Sequence, residues 1–307
     1  MKKFILKIIS FVLLFLTILL ICFTLPATPR ASKSLLFSNV KKDSLLKNTI
    51  SPRLILVGGS NLSFGIDSET IKDSLNINLI NTAIHANIGL QYMMDNTVKH
   101  IKEGDIVLLS PEYNHFYGSY VYGRGELLRI VTQVNFLDFF KLTKKQILSV
   151  FKYIPKYSLS KLNPLEYIGF REHDIYSVNS FNEYGDVYTH WSMKQRVFPS
   201  ANKIKKRYNP NTIKLINDFR IELGEKGSNL FISYPCYQAS SFDKNIKQIK
   251  KIQKELKKNN FKILGTPERY RIDDSLMFNT PYHLLKKGVN LRTKLLIEDL
   301  KTNSITN

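Results

Sequence analysis

Two short stretches near opposite ends of the 307-residue chain carry side chains able to do chemistry together. The first is Arg53-Leu-Ile-Leu-Val-Gly-Gly-Ser60-Asn-Leu-Ser-Phe-Gly-Ile-Asp67, and the second is Asn279-Thr-Pro-Tyr-His283-Leu284. A serine hydroxyl that attacks an ester carbonyl and an imidazole that takes its proton are the core of nucleophilic acyl chemistry. Leu54 to Val57 has the length and branched apolar content of a buried strand. Gly58-Gly59 then lets the backbone turn sharply and approach another group closely. Ser60 therefore falls at the C-terminal end of a strand, where open α/β sheets place their ligands. By itself a Gly-Gly-Ser after a strand is most often only a turn. The stretch is not a Gly-x-Ser-x-Gly elbow, because Leu62 replaces the last glycine, and it lacks the Gly-Lys-Ser/Thr of a phosphate-binding loop.

The remaining reactive residue types carry blander readings. His85 and His115 also lie near predicted strand ends, and each reads first as a hydrogen-bonded structural histidine. Cys236 follows an apolar run and reads as a small buried residue rather than a nucleophile. The six histidines show no metal-ligand spacing, so neither a metal nor a cofactor is expected.

The elements that must hold Ser60 and His283 follow from the apolar pattern. Strands are expected at 54–57, 76–80, 105–109, 229–234 and 261–264. Helices are expected from Ser68 (its N-cap), over 90–101, over roughly 213–223 and 246–256, and from 285 to 300. Helix alternating with short apolar strand predicts a parallel sheet with crossover helices. Residues 117–208 break that rhythm. They are rich in Tyr, Phe and Lys, hold the single Trp191, and are too long for a loop, so a mainly helical insertion covering the active-site edge is expected.

A serine after the first strand and a histidine just before the last helix resemble the first and last blocks of the SGNH (GDSL-like) hydrolases. The flavour is that of membrane-anchored, cell-envelope members, including acyltransferase-like proteins that modify surface polysaccharides and teichoic acids. The resemblance spans roughly residues 50–300 and is loose between its two ends. It implies a three-layer α/β/α flavodoxin-like domain over 51–307, with Ser60 as nucleophile and His283 as base. It also implies oxyanion donors from the Ser60 backbone N–H, from the second block at Ala83 (with Gly89 as a later candidate), and from Asn114 in the third block. The chain departs from the family in two places. The third block reads Ser110-Pro-Glu-Tyr-Asn-His, where an ionised Glu112 accepts and cannot donate. The position four before the histidine is Asn279, where envelope relatives have aspartate. Asn279 orients the imidazole but cannot stabilise its charge; Asp273 and Asp274 are the nearest alternative carboxylates.

Residues 1–26 hold a lysine-flanked apolar run long enough to span a bilayer. Lys2, Lys3 and Lys7 place its N-terminus in the cytoplasm and the rest of the chain outside. A cleavable signal peptide is the competing reading. Residues 27–50, polar and lysine-rich, read as a tether. The formal net charge of +20, from 45 Lys+Arg against 25 Asp+Glu, suits anionic headgroups or envelope polymers better than nucleic acid for a domain outside the cell. A lysine-rich coding bias is an equally good account. The expected function is ester hydrolysis or O-acyl transfer on a cell-envelope polysaccharide or polymer, with a membrane-bound acyl-transfer partner as one arrangement. The alternative is a catalytically silent scaffold of the same fold that binds an anionic polymer or a partner protein.

Overall fold

The computed structural model describes residues 1–303. It begins with α1 (Lys2–Thr24), a 23-residue helix whose apolar side chains are nearly all exposed. Among the described residues this is the one helix long and apolar enough to cross a membrane. Two short turns, Pro29–Ser32 and Leu35–Ser38, lead into α2 (Asn39–Asn48).

Residues 27–50 are therefore not the free tether expected from the sequence. Leu46 of α2 joins the core beside Ile55 and Ile80. Lys42 is buried, donating to the carbonyls of Asn81 (3.0 Å), Gly185 (2.7 Å) and Ala83. The inward face of α2 is one leucine and one lysine, so it leaves almost no apolar periodicity to read.

The elements that follow are β1 (Arg53–Gly58), α3 (Ser68–Leu75), β2 (Asn78–Asn81), α4 (Leu90–Val98), β3 (Ile106–Ser110), α5 (Asn211–Glu225), β4 (Asn229–Ser233), α6 (Ile246–Lys258), β5 (Ile263–Leu264) and α7 (Lys286–Thr302). The five strands form one wholly parallel sheet in the order β2-β1-β3-β4-β5. Each predicted strand is present. β2 starts two residues later than expected and β5 is reduced to two residues. The N-cap of α3 is Asp67 rather than Ser68: its carboxylate accepts from the Thr70 N–H at 3.3 Å. The Ser68 hydroxyl is drawn instead to Asp186.

Strand residues alternate between two apolar clusters, as the two-residue period of a strand requires. Ile55, Val57, Val107, Leu109, Leu230 and Ile232 pack with Met94 of α4, Ile216 of α5 and Ile252 of α6. Leu54, Leu56, Leu108, Phe231 and Leu264 pack with Ile71 of α3 and with Leu296 and Leu300 of α7. The entry to β1 is fixed by a fully buried ion pair, Arg53 Nη2 to Asp105 Oδ2 at 3.1 Å. The same guanidinium donates to the carbonyls of Leu46 and His100.

The expectation of a mainly helical insertion holds for its first half only. Helices Gly125–Thr132, Lys144–Val150 and Ile154–Ser160 are followed, from about residue 161 to 208, by turns and isolated bridges. Long-range polar contacts do there what helices do earlier. Asp186 accepts from the Ser68 N–H, the Ser68 hydroxyl and Asn81 Nδ2, each at 2.7 Å. The insertion has its own apolar cluster around Phe139, Val150, Ile175 and Val187, and that cluster includes Phe64 and Phe278, the neighbours of the two predicted reactive stretches.

Candidate functional site

Ser60 opens a four-residue helix, Ser60–Ser63, directly after β1 and Gly59. The two glycines are required by how closely other groups approach. A Cβ on Gly58 would lie 2.7 Å from the Ser110 carbonyl oxygen. One on Gly59 would lie 2.7 Å from Glu112 Oε1 and 3.0 Å from the Ala86 Cα. The turn after β1 is thus clamped between the ends of β3 and the segment after β2. Only a small part of Ser60 reaches solvent.

His283 lies on the strand-like segment leading into α7 and is almost fully buried. Its ring stacks on Phe64 at 4.0 Å between centroids and 7° between planes. The Leu284 N–H donates to the Phe64 carbonyl, so the histidine block is fastened to the residue that ends the Ser60 helix. His283 Nδ1 faces Asn279 Oδ1 at 2.8 Å, and Asn279 Nδ2 donates to the Tyr176 hydroxyl at 2.7 Å. With the amide oxygen facing it, Nδ1 must carry the proton, and Nε2 keeps its lone pair. Burial holds the His283 pKa well below the ordinary histidine value, with the nearby His190 and His85 pushing the same way. The imidazole is accordingly a neutral base with a fixed tautomer.

The Ser60 hydroxyl donates to Glu112 Oε1 at 3.3 Å, not to His283. The Asn61 N–H donates to the same oxygen, also at 3.3 Å. Burial pushes the Glu112 carboxyl up to about 7, against the hydrogen bonds from Asn61 and Ser60 that favour its charged form. Below that pH Glu112 is a neutral acid and can donate a hydrogen bond, which an ionised carboxylate cannot.

The other expected residues fall as follows. Asn279 occupies the orienting position beside His283. Asp273 is exposed and accepts from Ser275, while Asp274 accepts from the Ser240 N–H and Gln238. Both are engaged away from His283, whose Nδ1 is taken by Asn279. Ala83 is not brought to the site as a donor: its N–H is spent on Asn81 Oδ1 at 3.1 Å and the residue is buried under the sheet. Gly89 lies against Gly123 at the start of α4. Asn114 is half-buried in the turn Tyr113–Phe116 that follows Glu112. His115 is structural: its Nδ1 accepts from the Glu112 N–H and its Nε2 faces the Ala86 carbonyl, with burial lowering its pKa to about 4. Cys236 is buried against the carbonyls of Tyr282 and Asn61, and burial raises its thiol pKa. Among the described residues no group of His, Cys, Asp and Glu is arranged to hold a metal ion.

Three residues near the site had no signal in the sequence. Arg292 of α7 is fully buried, with Nη2 near Asn61 Oδ1, Ser110 Oγ and the Tyr234 carbonyl. Asn61 in turn bonds both ways with Ser110, so a guanidinium braces the floor of the serine turn. His190, from the irregular half of the insertion, is buried against Phe64 and Phe278 and bonds the Leu284 carbonyl. Asn87 follows Ala86, the residue that touches Gly59, and its side-chain oxygen is buried without a partner. Asn87, His85 and Tyr176 are among the residues lining an open cleft of about 570 Å³. Arg124, Arg129 and Lys156 line it too, which makes the cleft electropositive despite Glu126.

No protein-family model matches the chain, and no curated protein matches it. Among solved structures the chain is similar to that of the Bacillus subtilis protein YxiM, at 14% sequence identity and a TM-score of 0.36. The match covers 83% of this chain and 58% of that one, so the chain spans less than two thirds of that protein's length. The likeness is too slight to transfer a site or an activity.

Proposed function

We propose that the protein is an SGNH-like serine acyl-transfer enzyme, an ester hydrolase or O-acyltransferase, working on a cell-envelope glycan or polymer outside the cytoplasmic membrane. The observation that carries this reading is the His283–Asn279–Tyr176 chain. It fixes one imidazole tautomer, keeps Nε2 as a base, and stacks that imidazole on the turn that presents Ser60. The strand order, with β2 on one side of β1 and β3, β4 and β5 on the other, matches that of flavodoxin-like doubly wound folds, whose ligands bind at the carboxyl ends of the strands. On this reading the domain is a three-layer α/β/α unit with Ser60 at that edge. α1 is then an uncleaved anchor with its lysine-rich end inside the cell.

In the first step Ser60 Oγ attacks the ester carbonyl and its proton passes to His283 Nε2. The imidazolium then gives the proton to the departing alcohol, leaving an acyl-serine. Water or a sugar hydroxyl, deprotonated by the same nitrogen, resolves it. Before the first step the Ser60 hydroxyl must rotate from Glu112 toward His283. Neutral Glu112 supplies the donor that the third block lacks, in the manner of a carboxylic acid kept protonated by an apolar site. The Ser60 N–H is the other donor.

Turnover of p-nitrophenyl acetate by the full-length protein tests this. Ser60→Ala is expected to abolish it while the circular dichroism spectrum is unchanged. Equal turnover in both proteins would refute the assignment. Two observations favour a second reading, a silent scaffold: the Ser60 hydroxyl is engaged by Glu112, and the group facing His283 Nδ1 is an uncharged amide. No turnover by the unaltered protein with any acyl ester and any sugar acceptor is the outcome that reading predicts.

A further inference from the structure

Large apolar side chains left exposed are concentrated in two stretches, with only isolated ones elsewhere. One stretch is α1. The other runs from 134 to 168, through the last helices of the insertion and just beyond them, where Leu137, Phe140, Leu148, Phe151, Leu165 and Ile168 are each more than half exposed. A patch of this kind on a domain surface marks a site that something covers.

What covers it follows from where the stretch is fastened. The Phe23 ring, at the outer end of α1, meets Phe139 edge-on at 5.3 Å and Tyr157 at 6.1 Å. Lys161 Nζ donates to the carbonyls of Leu25 and Pro26. Glu166 accepts from Thr28 Oγ1 at 2.8 Å and pairs with Arg30 at 3.7 Å. The stretch is thus tied near both ends to residues 23–30, where a helix that crosses a membrane leaves it. It also carries six lysines against Asp138 and Glu166. Apolar side chains interleaved with lysines are the composition of surfaces that lie in the headgroup zone of anionic bilayers.

We propose that residues 134–168 form a shelf seated in the interfacial zone of the bilayer that α1 enters, with its exposed apolar side chains among the acyl chains and its exposed lysines at anionic headgroups. The proposal rests on α1 being inserted, and it is independent of whether Ser60 is a nucleophile. It has a consequence for the cleft beside the candidate site. Tyr153, Lys156 and Tyr157 of the shelf line that cleft together with His85 and Tyr176. The cleft therefore opens level with the headgroups, and its cationic wall faces phosphate-bearing, membrane-held molecules before it faces free polymer.

The test uses full-length protein in phosphatidylglycerol/phosphatidylcholine vesicles whose acyl chains are brominated, with tryptophan emission as the readout. In a Trp191→Phe background, single tryptophans are placed by Leu148→Trp and Ile168→Trp on the shelf. Phe15→Trp on α1 and Ile221→Trp on α5 serve as the inserted and aqueous references. Shelf tryptophans should be quenched relative to non-brominated vesicles, to a degree between the Ile221→Trp and Phe15→Trp references, as expected of residues held at the acyl boundary. They should be quenched less in vesicles of phosphatidylcholine alone, and the Ile221→Trp protein should be unaffected. Quenching of Phe15→Trp with no quenching of Leu148→Trp or Ile168→Trp would overturn the shelf. No quenching of Phe15→Trp removes its premise and the shelf with it. Shelf tryptophans unquenched in vesicles yet shielded from iodide in native membranes would assign the patch to a partner protein and equally overturn the lipid proposal.

Discussion

The two halves of the candidate site are built to different degrees of readiness. Every polar atom that sets the His283 ring in place is accounted for: Asn279 fixes the tautomer, Tyr176 fixes the amide, and Phe64 fixes the plane. Burial, with His190 and His85 nearby, holds its pKa well below the ordinary histidine value, which favours the neutral ring. The Ser60 half is held by a carboxyl group that titrates near 7 and takes the hydroxyl's only proton. The comparison places the control of the site on the serine side. On the proposed reading the base is held in one form, and Glu112 sets whether the Ser60 hydroxyl is free to act.

The largest effects are expected where the two halves meet. Removing either partner, by Ser60→Ala or His283→Ala, should reduce acyl-ester turnover by about 10⁴-fold or more, as loss of a triad member does. Equal activity in Ser60→Ala and the unaltered protein would dissolve the comparison, since there would be no nucleophile half to control. Asn279→Asp should sharpen it. A carboxylate at 279 would stabilise the imidazolium formed as the proton is transferred, and turnover should rise by about 10- to 100-fold, part of what the reverse exchange costs in a serine protease. A fall in activity would mean that the amide is needed for its bond to Tyr176 more than a charge is needed for His283.

The pH dependence distinguishes the halves directly. Because the Glu112 pKa is raised by burial, the folded state holds this proton more tightly than the unfolded chain does. The stability it contributes is complete below about 4.5 and is lost as pH rises through about 7, a change on the order of 3 kcal/mol. Activity that needs neutral Glu112 falls over the same upper limb, whereas His283, whose pKa burial lowers, adds no decline on that limb. Glu112→Gln should flatten both profiles while keeping activity at low pH, which urea denaturation and turnover measured across pH 5–9 will show. If the profile of Glu112→Gln still breaks near 7, another group controls the serine. The smallest effect is expected for Tyr176→Phe, which leaves Asn279 in place without its outer hydrogen bond. Loss of a single neutral hydrogen bond costs roughly 1 kcal/mol, or several-fold in rate.

The same contrast governs what could be read from the sequence. β1, β3 and β4 were legible because apolar runs of strand length have few other fates, and His283 was singled out only by the resemblance of residues 279–284 to the last block of the SGNH hydrolases. Asn279 as the neighbour of His283 came from the same resemblance, whose pattern has an acid four residues before the histidine, and the structure does put it there. Glu112 was read as a departure from a donor pattern, because the sequence shows a carboxylate and not the burial that neutralises it. Lys42, Arg53 and Arg292 count as solvent-seeking in any pattern reading, yet all three are buried. What makes them tolerable is partners supplied from far along the chain, such as the Gly185 carbonyl for Lys42 and Asp105 for Arg53. For the same reason the segment holding Lys42 read as a tether when it is part of the core. Ala83 was assigned by block position. The spending of its N–H on the Asn81 side chain is a local turn that no block pattern carries.

The central claim, that Ser60 is a nucleophile served by His283, is tested most directly by a fluorophosphonate followed by peptide mapping. The full-length protein is treated in detergent or vesicles at pH 6.5, where Glu112 is largely neutral. The account predicts one phosphonyl adduct, on the Ser60 peptide, formed far more slowly in His283→Ala and absent in Ser60→Ala. A folded protein that forms no adduct at Ser60 at any pH from 5 to 9, or forms it equally fast without His283, would contradict it.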